Sequence, residues 1–214
     1  MTKRNTRELI LRTALGLFNE LGEPHVTTNH IADDADISPG NLYYHFHNKQ
    51  DIVLDLFKRF AVQFEPLLDV PSSLQLEGED MWFQLHLSFE LKGQYRFLYR
   101  NLADLVTRIP DLDRAFRGLF RRERQATAAM ISSLEQRGAL HLAAAEKDLL
   151  LDNLMLSLMY WIPYAELFEG RGMADESAQA KAIAGVLQLL VPYLREPEHS
   201  EFAYLTTTYL SHAR

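Results

Sequence analysis

Apolar residues recur every three to four positions along nearly the whole chain, and no stretch keeps the strict alternation of a strand, so the pattern predicts an all-α protein. A first helix is expected over residues 6–21. Leu9, Ala14, Leu17, Phe18 and Leu21 supply its apolar positions, Asn5 and Glu8 are spaced as a capping box, and Gly22 and Pro24 end it. A short second helix follows Thr27 and turns Ile31, Ala32 and Ala35 inward. Ser38 caps a third, with Pro39 in its first turn, because a hydroxyl oxygen can accept from the free N–H groups there and proline lacks only a donor that would go unused. Asn48 and Asp51, again three apart, open a longer fourth helix through Leu54, Phe57, Phe60 and Phe64, which Pro66 stops. Residues 70–78 shift to a Pro/Ser/Gly-containing connector, read as a loop within the second region. Five helical stretches follow at 79–92, 95–108, 111–137, 147–168 and 177–195, divided by Gly93, Pro110, Gly138 and residues 170–172, and the tail at 199–212 has room for a last short one. The expected total is about nine or ten helices.

The segment VTTNHIADDADISPGNLYYHFHNKQDI, residues 26–52, carries the chemistry. Two short helices joined by Asp36 and Ile37 make a helix-turn-helix, whose second helix can lie in the major groove of DNA. Leu42 and Phe46 lie four apart and face the core with Ile31 and Ala35. The opposite face offers Pro39, Gly40, Asn41, Tyr43, Tyr44 and His45, with Lys49 at the start of the next helix. Asn41 can pair with a base edge, the Pro39 ring can touch a thymine methyl, and Gly40 permits close backbone approach. Thr28, Tyr43 and Lys49 suit phosphate oxygens, which set register. Thr27, Asn29 and Ser38 complete the expected DNA-facing set, and free N–H groups of the second and fourth helices can add anion contacts.

Composition narrows this reading. The 214 residues are 47% hydrophobic and contain no cysteine, which gives ample core and excludes a disulfide framework, a thiol nucleophile and a thiolate metal site. The net charge of −7 gives no global attraction to phosphate, so DNA binding must be local. Even the first 65 residues hold seven Lys/Arg against nine Asp/Glu, about −2. The most apolar window, residues 154–165, is too short for the roughly twenty residues that span a bilayer, so a buried helix is expected and no membrane span. The polar, basic start lacks a signal-peptide core, which fits a cytoplasmic protein. No nucleophile elbow, phosphate loop, metal triad or convincing carboxylate pair stands out, so neither an enzyme nor a cofactor is expected.

The same segment resembles the N-terminal domain of TetR-family transcriptional regulators. Thr27, Thr28, Ile31, Ala32, Ala35, Ile37, Ser38, Gly40, Leu42, Tyr43, His45, Phe46 and Lys49 stand in that family's order and spacing, and the likeness covers residues 6–65 well. YRFLYRNLADL, residues 95–105, and the break at 138–140 resemble one recurring C-terminal type of the family. Two departures are Asp36, where a glycine is usual, and Asn29, where some members carry a base-reading arginine. Asp tolerates the left-handed conformation such a turn requires.

The resemblance implies a helix-turn-helix DNA-binding domain at 1–65, joined by the long fourth helix to a helical ligand-binding and dimerisation domain at 66–214. It implies a homodimeric repressor on a palindromic double-stranded DNA operator, released by a small-molecule effector. Effector binding would favour an arrangement in which two recognition helices no longer match major grooves about 34 Å apart. The alternative is a helical binding module without DNA recognition, acting through protein or small-molecule partners.

Leu151, Leu154, Leu158 and Ile162, with Ile183, Val186, Leu187, Leu190 and Leu194 on the next helix, are expected to pack across a dimer as a four-helix bundle, or otherwise within one subunit. For the cavity, the large residues Trp82, Phe83, Phe89, Phe97, Tyr99, Phe116, Phe120 and Met130 are candidates, although an aromatic stripe at helical spacing more often reads as core. The expected ligand set is Trp82, His86, Phe89, Phe97, Arg100, Phe116, Phe120, Met155 and Met159. Arg96 and Arg100 can receive an anionic head group, or Arg100 can pair with Asp104. His86 and Glu90 have helical ligand spacing but no third partner, so no metal is expected. Arg114, Arg117, Arg121 and Arg124 read as a solvated face balanced by acids.

Overall fold

The caps written into the sequence set where the early helices begin and end. In the computed structural model, which describes residues 3–69, 78–168, 170 and 176–212, they delimit α1 (Lys3–Leu21), α2 (Thr28–Asp34), α3 (Pro39–His45) and α4 (Lys49–Phe64). After these come α5 (Gly78–Gln94), α6 (Arg96–Arg100), α7 (Leu102–Arg108), α8 (Pro110–Gln136), α9 (Ala144–Phe168), α10 (Glu176–Leu190) and α11 (Glu198–His212). Short 3-10 turns at Glu23–His25, Glu65–Leu68 and Val191–Tyr193 complete the elements. The protein is all-α: among the described residues the only β feature is an isolated bridge between Leu140 and Leu194. No helix among them is long and apolar enough to cross a membrane.

Among the described residues eleven α-helices stand against the nine or ten expected, because the 95–108 stretch divides at Asn101, whose φ of −118° and ψ of 27° lie outside helical geometry. The first helix also begins at Lys3, so Asn5 lies inside it and makes no capping box; Glu8 instead accepts two 2.7 Å bonds from Arg59 on α4. Residues 70–77 of the expected connector and 171–172 of the later break lie outside the described residues.

The chain packs as two compact units. One comprises Met1–Gln63 and Tyr95–Arg117, the other Phe64–Gln94 and Gly118–Arg214. A single functional boundary at residue 65 therefore differs from the packing, which returns residues 95–117 to the N-terminal helices. Phe97 lies 5.2 Å from Phe18 between ring centroids, and Phe116 lies 4.5 Å from Phe57. Polar bonds add to this. Arg100 and Arg96 donate to the Asn19 carbonyl at 3.0 and 3.3 Å, satisfying a free carbonyl near the end of α1, and Asn19 Oδ1 accepts from the Phe97 N–H at 3.1 Å.

The second unit is built from α5, most of α8, and α9 to α11. Its core includes Phe89 against Trp161 at 5.5 Å, together with Leu134, Ile162, Ile183 and Phe202, all buried. Gly138 ends α8 with φ of 73°, a conformation glycine adopts without strain, and Ala139 N–H then donates back to the Leu134 carbonyl at 2.9 Å.

Candidate DNA-facing surface and ligand cavity

Local side-chain bonds build the helix-turn-helix. Thr27 Oγ1 accepts from His30 N–H at 3.1 Å while His30 Nδ1 faces the Thr27 N–H, a reciprocal cap on α2. Ser38 Oγ accepts from Asn41 N–H at 3.2 Å and starts α3. Asp36 sits between them with φ of 51°, the left-handed geometry anticipated for this residue. Asn48 Oδ1 accepts from Asp51 N–H at 2.9 Å, and Asp51 Oδ2 accepts from His47 N–H at 3.1 Å, opening α4. Ile31 and Leu42 are fully buried, and Ala35 and Phe46 nearly so, which locks the relative rotation of α2 and α3.

With that rotation set, α3 turns Pro39, Gly40, Asn41, Tyr43 and Tyr44 to the exposed side, with His45 half-buried. Tyr44 is 67% exposed, with its ring edge toward His45. The Tyr43 hydroxyl shares a 3.0 Å hydrogen bond with Thr28 Oγ1, tying α3 to α2 while its ring stays outside. A Cβ added at Gly40 would meet nothing within 4 Å, so the protein's own packing does not require glycine there. Thr27 and Asn29 are exposed on α2 and its cap.

Lys49 differs from expectation. Its ammonium donates to the carbonyls of Glu23 at 2.8 Å and Val26 at 2.9 Å, and lies 3.0 Å from Glu23 Oε1. Two hydrogen bonds and this ion pair thus fasten the segment ahead of α2 to the start of α4. Glu23 is the cause: its carboxylate is fully buried and needs positive partners, the second being Arg108 at 2.5 Å from Oε2.

In the second unit a narrow, almost wholly apolar cavity of about 80 Å³ lies among α5, α8, α9, α10 and α11. Met81, Trp82 and Leu85 line it from α5, Met130 and Ile131 from α8, and Phe202 from α11. Of the ligand residues expected, Trp82 is in its wall. Phe97, Phe116 and Arg100 belong instead to the first unit, and Phe89 is spent against Trp161. Met155 reaches Thr127 Oγ1 at 4.0 Å but, like Phe120 and Met159, is not in the wall. His86 stacks on Trp82 and shares a 2.8 Å bond between Nδ1 and the Tyr209 hydroxyl, whose pKa burial raises. No group of three or more potential metal ligands occurs among the described residues.

The residues assigned to a dimer interface turn out to be interior. Leu151, Leu154, Leu158, Ile162, Ile183, Val186, Leu187, Leu190 and Leu194 are all less than 9% exposed within one chain, and Leu154, Leu158, Val186, Leu187 and Leu190 line the cavity. The other side of α9 stays open: Leu156, Tyr160, Tyr164, Leu167 and Phe168 are exposed, and the first three line a groove with Ala182, Gly185 and Leu189 of α10.

Other ion pairs also differ in partner. Asp104 receives Arg108, four residues on, at 2.8 Å, and not Arg100. Three of the four arginines on the expected face of α8 meet acids, Arg117 on Asp113 at 2.9 Å, Arg124 on Asp152 at 3.0 Å, and Arg114 on Asp111. A buried pair that sequence reading missed joins Lys92 of α5 to Glu123 of α8, both less than 4% exposed. The two lie 31 positions apart on separate helices, and no local pattern marks them.

Two family models match the chain: one described as "Bacterial regulatory proteins, tetR family" over residues 10–56, and one described as TetR, "Bacterial transcriptional repressor", over 59–202. A TetR-family transcriptional regulator from Marinobacter aquaeolei VT8 is similar in structure, with a TM-score of 0.86, 32% identity, and coverage of 98% of this chain and 99% of that one. The HTH-type transcriptional regulator TcmR of Streptomyces glaucescens is 29% identical over 115 residues, 51% of each chain. The HTH-type transcriptional repressor KstR2 of Mycolicibacterium smegmatis is 24% identical over 111 residues, 50% of this chain and 54% of that one. The chain thus spans about half the length of the curated relatives it matches.

Proposed function

The chain belongs to the TetR family of bacterial transcriptional regulators, and from that premise we propose that it is a homodimeric repressor that binds a palindromic operator and is released by a small-molecule effector. The observation that carries the reading is the exposed face of α3, where Pro39, Gly40, Asn41, Tyr43 and Tyr44 project from a helix capped by Ser38 and tied to α2 through Tyr43 and Thr28. Asn41 and Pro39 read base edges, Tyr43 and Thr28 hold phosphate, and Lys49 positions the helix pair from behind. Two copies join through the open apolar side of α9 and α10, whose exposed Tyr160 and Tyr164 need cover, and two-fold symmetry then matches operator symmetry. The effector occupies the cavity of the second unit, which must widen from about 80 Å³ toward the roughly 300 Å³ of small ligand sites. Linkage requires operator DNA to weaken effector binding by the same factor that effector weakens operator binding. A cytoplasmic, non-catalytic protein completes the reading.

The test is selection of fragmented genomic DNA by the purified protein, with the Asn41→Ala/Tyr44→Ala double variant as control. A palindrome enriched by the wild type and lost in the variant is the expected result. A folded dimer that enriches nothing at low salt would overturn it in favour of a module acting through protein or small-molecule partners.

A further inference from the structure

The cavity of the second unit is largely apolar, with Gln84, Ser88, Glu123 and Thr127 as the polar residues of its lining and Trp82 Nε1 a second buried polar atom without a hydrogen-bond partner. Glu123, 3% exposed, stands in its wall among Met81, Leu85, Ile131 and Leu158. Glu123 Oε1 meets the Lys92 ammonium, but Oε2 is buried and receives no hydrogen bond. Lys92 also donates to the Leu158 carbonyl at 3.0 Å and lies 5.2 Å from the centre of the Phe64 ring. A nearby donor, the Thr127 hydroxyl, is turned to the Glu123 backbone carbonyl at 2.9 Å. A buried carboxylate oxygen left without a donor is costly, and the cost is relieved by whatever molecule brings a donor to it.

We infer that the cavity is shaped for a neutral, largely apolar ligand bearing a hydroxyl group, which donates to Glu123 Oε2 while its apolar body lies against Met81, Trp82 and Met130. The inference rests on the effector-site reading of this cavity. Three features select the hydroxyl. The Lys92–Glu123 pair is already neutral as a unit, so a ligand ammonium would leave a net charge in an apolar enclosure. A carboxylate would face Glu123 and would have to displace it from Lys92. An ether or hydrocarbon would leave Oε2 unserved, and sites that hydrogen-bond a ligand hydroxyl discriminate strongly against analogues lacking it.

Calorimetric titration of the full-length protein with octanol, its isomer heptyl methyl ether, octanoate and octylamine tests this. Size and apolar area are nearly constant across the four. Octanol is expected to bind about tenfold or more tightly than the ether, a gap that narrows in Glu123→Gln, and both are expected to be lost in the cavity-filling variant Met130→Trp. Equal affinity for alcohol and ether, with both lost in Met130→Trp, overturns the hydroxyl assignment and leaves the cavity as the binding site. Octanol binding that survives in a folded Met130→Trp removes the cavity reading itself. Tighter binding of octanoate or octylamine than of octanol, or no octanol binding up to its solubility, also overturns the assignment.

Discussion

Each unit of the protein buries a carboxylate, and the two are treated differently. Glu23 in the first unit has a cation at each oxygen, Lys49 at 3.0 Å and Arg108 at 2.5 Å. Glu123 in the second unit has one cation, Lys92, and keeps Oε2 undonated at a cavity wall. The first arrangement is closed: it fixes the segment between α1 and α2 against α4 and α7, and so sets the platform from which α3 projects. The second leaves one carboxylate oxygen without a donor, which costs stability and, on the reading proposed above, gives a ligand something to satisfy. On the ligand reading proposed above, the same residue type serves rigidity in one unit and recognition in the other, and the number of cations at the carboxylate distinguishes them.

Breaking the second pair on one side should produce the largest effect. Lys92→Met strands a carboxylate that is less than 4% exposed and is expected to lower unfolding free energy by about 3–5 kcal/mol, read from the urea midpoint. Removing both charges in Lys92→Met/Glu123→Leu should return stability close to wild type or above it, because the apolar pair needs no desolvation. A double variant as unstable as the single one would show that the pair itself, and not the stranded charge, sustains the unit. Glu23→Gln comes next, at about 2–3 kcal/mol by the same measurement, smaller because its partners Lys49 and Arg108 keep 23% and 35% exposure and can be hydrated. Operator affinity should fall with it, since Lys49 then no longer has a charged anchor.

The open faces sharpen the contrast at lower cost in stability. Tyr44→Ala on α3 and Tyr164→Asp on α9 each replace an exposed ring and should shift unfolding by no more than about 0.5 kcal/mol per folded chain. Tyr44→Ala is expected to weaken operator binding with the dimer intact, and Tyr164→Asp to yield monomers by sedimentation. The reverse outcome would exchange the roles assigned to the two surfaces. The smallest effect concerns Glu8, whose carboxyl the hydrogen bonds from Arg59 hold below its ordinary pKa while desolvation opposes them. A lowered carboxylate pKa stabilises the fold above the unfolded value and loses that contribution as pH falls through the folded one. Glu8→Gln should therefore flatten slightly the acid side of the stability profile, below the ordinary carboxylate range, and leave neutral pH almost unchanged because the pair is largely exposed and screened.

What the sequence by itself determined is the local architecture: Thr27, Ser38, Asn48 and Asp51 cap their helices through bonds to N–H groups within four residues, and the spacing of Ile31, Ala35, Leu42 and Phe46 orients the helix pair. These interactions span a few residues, so periodicity and capping chemistry express them directly. Tertiary structure alone decided which side of α9 and α10 is interior. Helix α9 carries Leu149, Leu150, Leu151, Leu154, Met155, Leu156 and Leu158 around its circumference, so no apolar stripe exists to mark a buried face, and packing against α5, α8 and α11 chose Leu154 and Leu158 over Leu156 and Tyr160. It also drew Phe97 and Phe116 to the first unit, turned Lys49 inward, and brought Lys92 to Glu123. Such pairings depend on free energies of burial and charge compensation between residues far apart in the chain, which become definite only when the helices meet.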